Sequence, residues 1–402
     1  MTKARSLSKL SLLASVVLVA ACGSTGTTGP GPGAPHPGDV PSVDESAAEG
    51  APEHRWSGVD LRAGPDMDRI IEAVGDARVV YVGESHELYG HHMAQLEVLR
   101  RLHQRYPEMA IGMEMFQIPF QSVLDAYVRG EFDEREMLRG TEWFERWRYD
   151  FRLYRPLVEY ARRHGLPIIA LNVSNELRER VSEVGVAGLS DEERSRIPAE
   201  LDKSDQACRE RLRMIFHRHA GGHEKGFERF EEVQLLWDES MAAEAARYLR
   251  ANPSSRLVVF AGSGHLMHGS GIPNRVQRRI DVPSAIILPG DRIRVEQGIA
   301  DFLIFPPVSA LPKAGVMGVY LGESEQPGAS VEALVEESAA ARAGVEKDDL
   351  ITAIDDVAVA SPEDVKLELL GRAPGERIRL RVLRRHLLLG DEELDFDFAL
   401  GE

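Results

Sequence analysis

Along the first three quarters of the chain, short unbroken apolar runs alternate with longer stretches whose apolar residues recur at helical spacing. Val79–Val82 reads as a buried strand, and Leu96, Val98, Leu99 and Leu102 place a helix between Gly90 and Tyr106. "MAIGMEMF", "LPIIALNV", "RLVVFAGSGH" and "PSAIILPG" supply four more strands. Helical stretches fall near 119–129, 152–164 and 203–250. Strands that are apolar on both faces and alternate with helices predict an α/β fold, its largely parallel or mixed sheet covered by helices.

Beyond Pro306, Pro307 and Pro312 the texture changes to strand-rich alternation, interrupted by a short helix at 362–371. A second, small β-rich domain is expected at 312–400, after an α/β domain at 55–305. At the other end, Lys3, Arg5 and Lys9 precede "LSLLASVVLVAAC", an apolar run too short to span a bilayer comfortably. This is the pattern of a secretory signal at 1–22, followed by a Gly/Pro-rich tether at 23–54. The "LVAAC" end resembles the lipobox of bacterial lipoproteins, which implies lipidation at Cys22. Gly23, where an Asp is linked with inner-membrane retention, favours the outer membrane of a bacterial envelope.

Charge and cysteine content narrow the picture. A net charge of −17 argues against a nucleic-acid partner, which needs a basic footprint. With Cys22 acylated only Cys208 remains, so an intramolecular disulfide is excluded and Cys208 reads as a packed small residue.

The candidate chemistry gathers at strand ends, where ligands of open α/β sheets bind. The first strand runs into "GESHELYGHH", with Glu84, His86, Tyr89 and His92; the second ends around Glu114; the fourth ends in "GSGH", with His265. Acids and imidazoles converging from separate segments suit general acid–base work or metal binding, so Glu84, His86, Glu114 and His265 are catalytic candidates. Glu84, His86 and His265 are also candidate ligands of a divalent first-row metal ion. The aromatic-rich "WFERWRYDFRLYRPL" offers Tyr149 and Tyr154 as a wall for a flat ligand, with a tyrosine phenolate as a ligand for haem iron. On the helix near 227–248, Phe230, Gln234, Trp237, Met241, Ala245 and Tyr248 trace an inward stripe, with Asp238 beside Gln234. "HRHAGGHE" at 217–224 reads as a solvated loop despite its metal-like composition.

In their order, "VGESHELYGHH" with Gln95, "GMEMF", W-x-x-W-x-Y, "LN", Q-x-x-x-D-x-x-M and "AGSGH…GIP" resemble the ChaN-type haem-binding family. That family belongs to the Tiki/TraB/erythromycin-esterase-like superfamily. The resemblance implies haem or iron binding at the cell surface in aid of uptake, with a tyrosine on the iron (Tyr89, Tyr149 or Tyr154) and site residues at Glu84, His86, Glu114 and His265, with His92 nearby. A homodimer with haem between protomers is implied by the resemblance alone. Other members of the superfamily are hydrolases, so a metal-dependent peptidase or esterase is the rival reading, and the residues leave enzyme activity open. "HEL" replaces the usual "HDN", which departs from the pattern at Glu87 and Leu88.

The segments "GVMGVYL", "ESAAARAGVEKDDLITAIDDVAV" and "PGERIRLRVLR" resemble a bacterial PDZ domain. Met317, Gly318 and Val319 are then expected to receive the carboxylate of a C-terminal or extended peptide, with Leu367 and Leu370 lining its side-chain pocket. An adaptor that works through this domain alone, its α/β site vestigial, is a third reading.

Overall fold

The computed structural model describes residues 66–219, 226–386 and 390–402. The expected signal segment, Cys22, the tether and positions 220–224 of the histidine-rich stretch lie outside the described residues.

Six strands form the first sheet: β1 (Val79–Glu84), β2 (Met109–Gln117), β3 (Ile168–Asn172), β4 (Arg256–Gly262), β5 (Ser284–Pro289) and β6 (Phe302–Ile304). Their order is β3-β2-β4-β1-β5-β6 and every pairing is parallel, within the largely parallel or mixed sheet that the apolar runs predict. The short β6 has no counterpart among the predicted strands. The side-chain alternation of a strand divides β1 between two cores. Val80 and Val82 join Leu99 and Leu102 of the helix Tyr89–Arg105 and Leu157 and Val158 of the helix Arg155–His164. Val79 and Tyr81 face Met241, Ala245 and Leu249 of the helix Phe227–Ala251 and Ile272 and Val276 of the helix Ile272–Arg279.

The predicted helical region at 203–250 is two helices, Gln206–His219 and Phe227–Ala251. Cys208 is buried there, and burial pushes its thiol pKa up. The inward stripe expected on the second helix is shifted. Leu235, Leu236, Asp238, Met241, Ala242 and Ala245 are buried, while Phe230, Gln234 and Trp237 are only half-buried. The sheet, the helix Asn175–Val184 and the helix Ile272–Arg279 all pack on it, so its buried arc is wider than one stripe.

The C-terminal strands are β7 (Val319–Gly322), β8 (Ala329–Leu334), β9 (Leu350–Ile354), β10 (Val357–Ala358), β11 (Arg377–His386) and β12 (Gly390–Ala399). They form an antiparallel sheet, β12-β11-β9-β8-β7, with β10 paired to β9 and β7 at an edge. The helix Pro362–Leu369 is started by Ser361, whose side chain accepts from the Asp364 amide. Val365 and Leu369 pack into the core of this sheet. Leu367 is buried against the core of the α/β part, and Leu370 packs there too. On the same side Arg139 pairs with Asp364 and Arg135 with Glu368.

Among the described residues, no helix is long and apolar enough to cross a membrane.

Candidate functional site

The strand order puts β4 between β1 and β2, so the three chemically marked ends are neighbours. Glu84 is opposite Gly262 in the β1–β4 ladder. Glu114 is the first residue past the β2–β4 ladder, which closes at Met113 and Phe260, and its Oε2 accepts the Gly262 amide at 2.7 Å. Gly262 lies close under His86 and Glu114: a Cβ there would lie 3.2 Å from His86 Cε1, so the ring would have to yield by a few tenths of an ångström, and 3.6 Å from Glu114 Oε2, an ordinary contact.

Two histidine–carboxylate pairs flank this glycine. His86 Nδ1 bonds Glu84 Oε1. Burial opposes the charge on both, yet Glu84 raises the His86 pKa and His86, with His92 and His91, holds that of Glu84 below its usual range. His265 Nδ1 bonds Asp238 Oδ1 at 2.6 Å, and its Nε2 is 3.5 Å from Glu114 Oε1. Burial lowers the His265 pKa, but Glu114 and Asp238 outweigh it and raise it to about 9, so this imidazole is a cation at neutral pH. His92 behaves differently. Burial holds its pKa below the ordinary value, while its nitrogens face Gln95 Oε1 at 3.2 Å and the His86 carbonyl at 3.1 Å.

An aromatic wall closes the cluster. The rings of Trp147 and Tyr149 lie 4.9 and 5.0 Å from that of His86. The Tyr154 hydroxyl donates to the His86 carbonyl at 3.3 Å, and its ring stands 4.4 Å from His92. Trp143 Nε1 donates to the Tyr149 carbonyl at 2.9 Å. The wall hangs on a loop with two non-glycine residues in the left-handed region, Glu142 (φ 51°) and Arg148 (φ 69°). His86 and His265 are only 5% and 7% exposed, so a large ligand meets the wall before the imidazoles.

Glu84, His86, Glu114, His265, His92 and Asp238 are thus brought together, with Tyr149 and Tyr154 in the wall. Tyr89 is not among them: it faces a separate groove with Arg100, Arg155 and Tyr160. Gln234 is half-buried, and the helix reaches the cluster through Asp238 instead. Nδ1 of His86 and Nδ1 of His265 are each taken by a carboxylate, and among the described residues no three His, Cys, Asp or Glu side chains are placed to hold a metal ion. Ser263, whose hydroxyl donates to the Glu84 carbonyl at 3.1 Å, and Asp291, 2.9 Å from His91 Nε2, support the cluster. Neither stands out in the hydrophobic and polar pattern of the sequence.

In the C-terminal domain Gly318 adopts φ 78°, and a Cβ there would lie 2.3 Å from Ser338 Cβ. Met317 is buried, Val319 opens the edge strand β7, and Tyr320 beside it is 61% exposed. Leu367 and Leu370 correct the expectation of a peptide pocket. Both face the α/β core, and Val365 and Leu369 are the apolar residues on the β7-sheet side of the helix. Residues 362–369 alone show the helical period, whereas a second domain packing on the outer face does not register in it.

Residues 70–276 match the family described as haem-binding uptake, Tiki superfamily, ChaN, and residues 315–400 match the PDZ domain family. A solved structure of cofacial haem binding to ChaN of Campylobacter jejuni superposes with a TM-score of 0.50 at 16% identity, covering 60% of this chain and 92% of that one. An erythromycin esterase mutant in its open conformation superposes with a TM-score of 0.36 at 17% identity, over 55% of this chain and 72% of the other. RETICULATA-RELATED 5, a chloroplastic protein of Arabidopsis thaliana, is 26% identical over 61% of this chain. The chain spans about a third of that relative's length, 36%.

Proposed function

Because this chain belongs to the ChaN haem-binding uptake family of the Tiki superfamily and carries a PDZ domain, we propose that it is a lipid-anchored protein of the bacterial envelope that binds haem and aids its uptake. The lipid would sit on Cys22, in an outer membrane, and the PDZ domain would take an extended or C-terminal peptide along β7, its carboxylate at Met317–Val319.

The placement of the three candidate tyrosines carries the reading. Bound haem would supply an iron for a protein ligand, and a tyrosine would hold it only if its phenol ionises and is reachable. Tyr154 fails on both counts: it is fully buried, its hydroxyl is used, and burial with Glu84 nearby drives its pKa well up. Tyr149 is opposed by burial and then by Glu87, Glu84 and Glu114, which raise its pKa. Tyr89 is half-buried on an open groove among arginines, and there the residues suit a flat anionic ligand. Titration with haemin should therefore give a shifted Soret band that Tyr89→Phe abolishes and Tyr149→Phe retains. An unchanged spectrum in the unsubstituted protein would sink the haem reading.

A specific observation favours a second reading, a hydrolase of the same superfamily. With Nδ1 of His86 engaged by Glu84, which raises the pKa of the ring, Nε2–H is left to give a proton to a leaving group, and the His265 cation held by Asp238 and Glu114 would stabilise developing negative charge in the same cluster. Ester and peptide panels, without and with added divalent first-row metal, test it. Turnover lost in both His86→Ala and His265→Ala supports the hydrolase, and inertness under all conditions removes it.

A further inference from the structure

A groove of about 390 Å³, open along one side, lies between the helices Tyr89–Arg105 and Arg155–His164 and the segments 311–313 and 371–373. That volume is at the lower end of the ~300–1,000 Å³ typical of ligand sites. Tyr89, Pro156 and Leu311 give it apolar surface, and Arg100, Arg152, Arg155, Arg163, Lys313 and Arg372 line it against one acid, Glu159. On a chain of net charge −17 this is a local reversal of sign.

Four of these cations are already committed. Arg152 is held by Asp150, Arg155 by Glu134, Lys313 by Glu402, and Arg372 by Asp355 and Glu376. Arg100 and Arg163 stand outside these pairs. Both are exposed, and the Arg100 guanidinium stands 5.9 Å from the centre of the Tyr160 ring. Two such guanidinium groups at the margin of an apolar slot match a flat ligand that carries two carboxylates, since a guanidinium fork pairs with a carboxylate through two parallel hydrogen bonds.

We infer that this groove reads the two propionate carboxylates of a porphyrin, Arg100 and Arg163 taking them while the ring lies against Tyr89, Pro156 and Leu311. The inference rests on the haem reading, and goes beyond it by making the groove selective for free dicarboxylate porphyrins whether or not they hold iron. Tyr89 governs the metal and the two arginines govern the carboxylates.

The test uses the full-length chain in detergent, with haemin, metal-free protoporphyrin IX and the dimethyl ester of protoporphyrin IX as probes. Binding is followed by absorbance and by quenching of tryptophan fluorescence. In Arg100→Gln/Arg163→Gln the affinity for haemin and for protoporphyrin IX falls roughly tenfold or more, the loss of charge-assisted hydrogen bonds. The ester binds the unsubstituted protein as weakly as the free acid binds the double variant, and the double variant does not weaken it further. Arg129→Gln, outside the groove, changes neither. Haemin binding that is equal in the unsubstituted protein and the double variant, with unchanged melting temperature, overturns the groove while the haem reading stands. Protoporphyrin IX binding that needs the arginines, without any Soret shift of haemin, overturns iron ligation and keeps the groove. Absence of binding by both porphyrins overturns both.

Discussion

Asp238 reaches from the helix Phe227–Ala251 to the loop after β4 and bonds His265 Nδ1 at 2.6 Å, a contact across 27 residues that, together with Glu114, raises the pKa of the buried His265 to about 9. A histidine whose pKa is about 9 in the folded chain and about 6.5 unfolded contributes stability that is complete below pH ~6.5. The contribution declines as pH rises and is gone above about 9. It amounts at most to on the order of 3 kcal/mol. Asp238→Asn removes the counter-charge, so the His265 pKa should fall and the loss of stability between pH 6.5 and 9 should flatten. Melting curves of both proteins across that range check this, and parallel curves would count against it.

Glu84 is the fully buried partner of His86. Removing one member of a buried charged pair leaves the other uncompensated, at a cost of ~3–5 kcal/mol. Glu84→Gln should destabilise by roughly that amount in urea unfolding, and lower the pKa of His86, observable by NMR titration of the ring.

Gly262→Ala places a methyl group against His86 and Glu114 at 3.2 and 3.6 Å. Overpacking of this kind costs ~1–3 kcal/mol. The His86 ring should turn away from Glu84, with a change in the fluorescence of Trp147, which it touches. An unchanged emission spectrum and unchanged stability would contradict the crowding.

Leu367→Ala separates the two roles assigned to the C-terminal helix. Its burial in the α/β core predicts a loss of ~2–5 kcal/mol in stability with little change in peptide affinity. Gly318→Val, at φ 78° and against Ser338, should abolish peptide capture. A Leu367→Ala protein of full stability and weakened peptide binding would return Leu367 to the peptide pocket.

Much of the site is legible in the sequence. A strand buried on both faces has no polar position to spare, so the acids and histidines at the ends of β1 and β4 and in β2 stood out against apolar runs. The helix partner was only half legible. Asp238 and Gln234 were both singled out by spacing, but which of them points at His265 depends on the rotation of a helix packed on several sides.

The hydrophobic pattern by itself determined the α/β class, the succession of strands and helices and the change to a second, β-rich domain, because burial of a strand or a helix face is written in its own residues. The tertiary structure alone decided that β4 stands between β1 and β2, and so that Glu84, Glu114 and His265 meet. It also decided that Tyr89 parts company with His86 within one turn of chain, and that Leu367 serves the α/β core. These are choices of neighbour, and a residue's period along the chain specifies that a side is covered without specifying what covers it.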